Sequence, residues 1–180
     1  MRRPRPSALG VAALLLLGLG GALLGETAGW AGDDRVGLRL GNQPPTLTAT
    51  DLQGRTHRLV DYRGRVVVLH FWSSWCPYCR GEIPELIQLH REGGTTGVVV
   101  LAVSSDEDIA KVRQFVAQQH LPYAVIADVE ADFTLSRRYQ IRGIPVTYVM
   151  DRAGRIAGKI NGSGDITGIV GEALARPGAA

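Results

Sequence analysis

The chain has two cysteines, Cys76 and Cys79, and their three-position spacing makes a closed two-electron dithiol–disulfide couple. They lie within Trp75-Cys76-Pro77-Tyr78-Cys79, after the apolar, β-branched run Val66-Val67-Val68-Leu69-His70-Phe71-Trp72 and before a helical pattern running from Arg80 to about Arg91. The pair therefore falls where a strand turns into a helix. The first turn of a helix offers unpaired N–H groups and the positive end of its dipole, so a thiol set there loses its proton more readily than one in water. Cys76 is thus the expected nucleophile, partly exposed, and Cys79, one turn further in and more buried, is expected to resolve a mixed disulfide by attacking Cys76. Pro77 suits a first-turn position, where no helical hydrogen bond is lost. A purely structural bridge between these two positions would close almost no loop and stabilise the fold little through chain entropy. Metal binding would call for a second cysteine pair or a nearby histidine, so neither a metal nor another cofactor is expected.

Positioning such a pair takes a sheet, and the flanking sequence supplies one. Thr46–Thr50, the turn Asp51-Leu52-Gln53-Gly54 and Arg55–Leu59 read as a β-hairpin. Val98–Val103 is a second strand of the kind buried on both faces of a parallel sheet, and Gly93-Gly94 is the expected end of the intervening helix. Two parallel strands joined through a helix form a right-handed crossover. Residues 107–119 place Ile109, Val112, Phe115 and Val116 at helical spacing, Pro122–Ile126 follows as a strand, and Ala131–Tyr139 as a short helix. Val146–Met150 and Arg155–Ile160 make a hairpin across Asp151-Arg152-Ala153-Gly154, and Asp165 is placed to cap a closing helix through Leu174.

The N-terminus has a different character. Basic residues Arg2, Arg3 and Arg5 precede 17 uncharged apolar or glycine residues, Ala8–Leu24, and small residues follow around Ala31. This is the form of an export signal over residues 1–31, with an uncleaved membrane anchor as the alternative. That segment holds three of the 20 basic and one of the 17 acidic groups, so residues 32–180 carry 17 and 16 and are nearly neutral. No basic stripe for nucleic acid is present.

A Trp-Cys-x-x-Cys motif after a strand, Phe71-Trp72-Ser73-Ser74 before it, Pro84 within the helix and Gly143-Ile144-Pro145 before a later strand together resemble a thioredoxin-fold protein. More narrowly, residues 38–175 resemble the TlpA/ResA-like exported thiol-disulfide oxidoreductases, which include the DsbE/CcmG-like reductases of cytochrome c maturation. The resemblance implies an α/β thioredoxin-like fold: a central mixed sheet flanked by helices, with an N-terminal β-hairpin and an inserted helix-strand unit. The 69 positions from Cys76 to Pro145 leave room for that unit at residues 107–126.

The resemblance also implies an extracytoplasmic enzyme, periplasmic or on the outer face of the cytoplasmic membrane, that reduces protein disulfides. Apocytochrome c is then the candidate substrate and a membrane thiol carrier the electron donor. Pro145 resembles the cis-proline that faces the cysteines in this fold, with Ile144 offering its backbone to an extended substrate. Trp75, Pro77 and Tyr78 are the other expected substrate contacts, with packing over the helix end as the alternative for Tyr78.

His70 stands six positions before Cys76, where thioredoxins carry a buried Asp, and is expected to be a packed strand residue. Glu82, three residues after Cys79 and so near its helix face, is the expected proton acceptor, with a solvated first-turn residue that only favours the helix dipole as the alternative, and ResA-like proteins have a functional glutamate at the matching position. Alternatives are a disulfide-forming oxidase of the same fold, a peroxiredoxin-like peroxidase and a copper-carrying Sco-like module. In a peroxiredoxin, Ser73 would stand where those enzymes have Thr, but Leu69 replaces their upstream proline. The Sco family uses a CxxxC spacing.

Overall fold

Seven consecutive buried residues, Val66–Trp72, form β3, the middle strand of a five-stranded sheet. The computed structural model describes residues 35–176; the export segment expected over 1–31 and the end of the tail, 177–180, lie outside them. In chain order the described elements are β1 (Thr48–Thr50), β2 (Thr56–Arg58), β3, α1 (Pro77–Thr96), β4 (Val98–Ser104), α2 (Ile109–Gln118), β5 (Ala124–Ala127), α3 (Thr134–Arg138), β6 (Val146–Met150), β7 (Ile156–Asn161) and α4 (Ile166–Ala175). The sheet order is β5-β4-β3-β6-β7, with β3, β4 and β5 parallel and β6 and β7 antiparallel to their neighbours, while β1 and β2 pair separately as a hairpin. This is a thioredoxin-like mixed sheet. Its inserted unit, α2 and β5, occupies one edge.

Alternation along β3 sorts its side chains between two cores. Val66, Val68 and Trp72 join Ile83 and Leu86 of α1, Val112 of α2 and Val170 of α4, whereas Val67, Leu69 and Phe71 join Leu47, Leu135 and Tyr139 on the opposite face. By the same parity His70 points to the face that α1 covers. Its strand partners are Ala102 on β4 and Thr147 on β6.

Several strand ends shift by one or two residues from the sequence reading, and two helices differ from it for an identifiable reason. The helix does not end at Gly93-Gly94 but runs to Thr96, and Gly97, at φ 77°, is the left-handed cap whose N–H bonds the Gly93 carbonyl at 2.9 Å. Gly93 serves packing: a Cβ there would sit 2.3 Å from the Val98 carbonyl oxygen, so only glycine lets α1 approach the start of β4. The helix expected over 131–139 is divided into a 3₁₀ turn at Asp128–Ala131 and α3, with Asp132 and Phe133 both left-handed. The buried Asp128 carboxylate is the reason, because it accepts the Leu135 and Ser136 amides at 3.0 and 2.7 Å and starts α3 from a distance.

Candidate active site

Cys76 is the N-cap of α1, and its Sγ accepts the Cys79 backbone N–H at 3.3 Å. The local sequence explains the geometry: Cys76 is extended (φ −79°, ψ 115°), Pro77 opens the helix with no N–H to satisfy, and the Cys79 amide points back at the sulfur. Negative charge on this sulfur therefore meets a donor and the positive end of a 20-residue helix. Both cysteines are free thiols. The expectation that Cys76 is partly exposed is corrected by the structure: at 4% exposure it is buried, because its side chain turns inward to cap the helix and joins the core with Trp72 and Cys79. Exposure belongs instead to its neighbours, Trp75 at 69% and Tyr78 at 71%, with Pro77 also open to solvent.

Cys79 is fully buried, and its thiol is pushed up to about 12, chiefly by desolvation, with the hydrogen bond to Cys76 adding to the effect. One turn on, Glu82 occupies the same buried helix face at 6% exposure. Neither carboxyl oxygen meets a partner at hydrogen-bonding geometry. Desolvation pushes the acid up to about 7, while the nearby Gly164 amide pulls the other way and Glu85 adds a smaller upward push. Beneath it lies His70, fully buried, with its imidazole pushed down to about 3 by desolvation, so the ring is neutral. Its Nδ1 is 2.9 Å from Thr147 Oγ1 and 3.8 Å from Glu82 Oε2.

Two clefts take in Trp75, Ile144 and Pro145, with Ile144 lining both. Trp75 and Ile144 line one of about 370 Å³ together with Ser73, Phe133, Ser136 and Ile141. Pro145 is buried and instead borders a second cleft of about 520 Å³ with Arg142, Lys159 and Asn161. The Ile144–Pro145 bond is cis.

Residues 40–159 match the AhpC/TSA family. The chain belongs to that family. It is 32% identical over 130 residues to thiol-disulfide oxidoreductase ResA of Geobacillus thermodenitrificans, a match covering 72% of this chain and 74% of the relative. Its fold is similar to that of a Chlorobium tepidum protein described as a DsbE thiol:disulfide interchange protein, with a TM-score of 0.70, 27% identity, and coverage of 77% of this chain and 100% of the other. A secreted Mycobacterium tuberculosis disulfide oxidoreductase homologous to E. coli DsbE is similar at a TM-score of 0.61 and 25% identity, covering 70% and 95% of the two chains. This AhpC/TSA member is a thiol-disulfide oxidoreductase of the ResA and DsbE type.

Three contacts of this family member escape sequence reasoning. Asp106, buried at the end of β4, accepts the Ser74 amide at 2.9 Å and the hydroxyls of Ser74 and Ser104 at 2.6 and 2.7 Å, tying the loop before Cys76 to the sheet. Phe115 of α2 packs against Trp72 with ring centroids 5.4 Å apart, and the Arg80 guanidinium lies 5.6 Å from the Phe115 ring. Thr147 braces His70. Ser104-Ser105 immediately before Asp106 is the local signal for the first of these contacts.

Proposed function

We propose that this oxidoreductase works outside the cytoplasm as a protein-disulfide reductase, with Cys76 as nucleophile, Cys79 as resolver and Glu82 as the proton acceptor for Cys79. The observation that carries the reading is the Cys76 sulfur at the N-cap of α1 with Cys79 and Glu82 stacked behind it on one buried face. In the first step the Cys76 thiolate attacks one sulfur of the substrate disulfide. The substrate S–S bond breaks, a mixed disulfide forms, and the departing substrate thiolate takes a proton from water. In the second step Glu82 takes the Cys79 proton, and the Cys79 thiolate attacks Cys76 Sγ. The mixed disulfide breaks, the second substrate sulfur leaves, and the enzyme holds a Cys76–Cys79 disulfide. Two electrons have passed to the substrate.

Burial and the hydrogen bond to Cys76 hold the Cys79 thiol well above the ordinary thiol range, so it is protonated at pH 7 and a base within reach is needed. Glu82, which titrates at about 7, is matched to that task. Exposed Trp75, Tyr78 and Pro77 offer a surface to a protein substrate, and Ile144 borders the cleft that Trp75 lines, with Pro145 setting the backbone next to it.

Export is supported by the basic-then-apolar N-terminus and by the secreted character of one structural relative. With the ResA and DsbE likeness, this favours apocytochrome c as substrate and a membrane thiol carrier as the source of electrons. The test is reduction of insulin or an apocytochrome disulfide by the purified protein and by Cys76→Ser. No reduction, together with an unchanged background in the variant, removes the proposal. The Cys76–Cys79 potential checks the direction: a value near about −270 mV favours reduction and one near about −120 mV a disulfide-forming oxidase.

A further inference from the structure

Glu82 presents two buried carboxyl oxygens with no hydrogen-bond partner, an arrangement that is costly for a carboxylate and tolerable for the acid. The groups facing it are few. Cys79 and Glu85 belong to its own helix, His70 reaches it from β3, and the Gly164 amide lies on the approach to α4; Thr147 on β6 is polar but uncharged. Glu85 turns away toward α4, accepting the Thr167 amide and hydroxyl at 2.7 Å each. The polar side-chain atom aimed at Glu82 from across the core is therefore His70 Nδ1.

The 3.8 Å between Nδ1 and Oε2 is too long for a hydrogen bond. A turn of the carboxyl about its broad terminal torsion is enough to close such a gap. The ring itself is not free to turn away, because the strand register sets His70 directly across from Thr147 and the two side chains bond at 2.9 Å. Nδ1 thus faces two oxygens. With a proton on Nδ1 the ring donates to both, whereas a bare Nδ1 would set its lone pair against an ionised Glu82.

We propose that His70, in its Nδ1–H tautomer and braced by Thr147, is the positioning residue for Glu82, donating to the carboxylate and releasing it when the carboxyl is protonated. His70 does not take the proton from Cys79, since desolvation holds the buried imidazole neutral. It holds the acceptor in line and favours its charged form. An aspartate at this strand position would set a second acid against Glu82, and a lysine would suppress protonation near neutral pH. A neutral imidazole does neither.

This inference rests on Glu82 acting as the acceptor for Cys79, and the experiment separates the two. In the full-length reduced protein, two signals are followed against pH: the infrared C=O band of protonated Glu82, assigned by its loss in Glu82→Gln, and the rate at which Cys79 displaces a thionitrobenzoate group from Cys76. His70→Leu is expected to move both midpoints up by about one pH unit, a tenfold change in proton affinity. His70→Asn, which keeps a donor, is expected to restore much of the shift, and nitrogen NMR to show the His70 proton on Nδ1. Thr147→Val, close in shape to threonine, removes the brace and is expected to move the midpoints in the same direction by less; it decides the matter if His70→Leu does not fold. Unmoved midpoints in the variants that fold, or a His70 proton on Nε2 while Glu82 is ionised, overturn the inference and leave the role of Glu82 standing. Glu82→Gln with wild-type displacement kinetics overturns both.

Discussion

Replacing Glu82 by Gln keeps the shape of the side chain and removes its charge and its capacity to accept a proton from a thiol. Ellman's disulfide reads the consequence in one trace. The first thionitrobenzoate anion leaves when Cys76 attacks the reagent, and the second leaves when Cys79 attacks Cys76 Sγ. Only the second event needs the buried thiol, held near 12, to lose its proton. General-base catalysis contributes roughly 10²–10⁴-fold, so the variant is expected to release the second thionitrobenzoate at least about 10²-fold more slowly at pH 7 and to lose the wild-type dependence centred near 7. The first phase is expected to stay within about twofold.

Stability supplies an independent reading of the same substitution. Folded Glu82 keeps its proton up to about 7, whereas the unfolded chain releases it near 4.5, so the native state binds more protons between those values. Stability from this group is therefore lost as pH rises through that window and is level above it. Glu82→Gln is expected to remove that loss, gaining on the order of 3 kcal/mol over wild type at pH 8 and little at pH 4 by urea unfolding. His70 slopes the opposite way. Its folded-state value is depressed, so its contribution is present above about 6.5 and is lost as pH falls toward about 3. A second phase unchanged between pH 6 and 9, with a stability gain that does not vary with pH, would refute the assignment of Glu82.

Three further outcomes are expected. Asp106→Ala removes the acceptor for three hydrogen bonds at the base of the Cys76 loop and is expected to cost about 1–3 kcal/mol in urea unfolding and to broaden the Ser74 and Trp75 amide signals in NMR. Gly93→Ala sets a methyl 2.3 Å from the Val98 carbonyl oxygen and is expected to destabilise by about 1–3 kcal/mol, although alanine is the better helix former, so a gain in melting temperature would contradict the packing role. Trp75→Ala removes the larger exposed ring beside the nucleophile; KM for a protein disulfide is expected to rise about tenfold, while the rate with Ellman's disulfide changes little.

Much of the reactive centre is written in contiguous sequence. The apolar run Val66–Trp72, the Cys-x-x-Cys spacing and Pro77 place a thiol at a helix start, because strand alternation, helix pitch and the missing N–H of proline are local properties. The three-residue step from Cys79 to Glu82 puts the acid on the same helix face for the same reason. Tertiary structure decided what those groups experience. Burial of Cys76 follows from its turn inward to cap α1, and the upward push on Glu82 follows from the sheet and α4 closing over that helix face. His70 meets Thr147 across 77 residues because β3 and β6 pair in one register, and Asp106 reaches Ser74 across 32 because β4 ends beside the active-site loop. The helix ends at the left-handed Gly97, whereas the packing role of Gly93, the close approach of α1 to the Val98 carbonyl, is set by how α1 and β4 meet. Periodicity determines which side chains share a face, whereas desolvation and cross-strand register arise only when distant segments pack against that face.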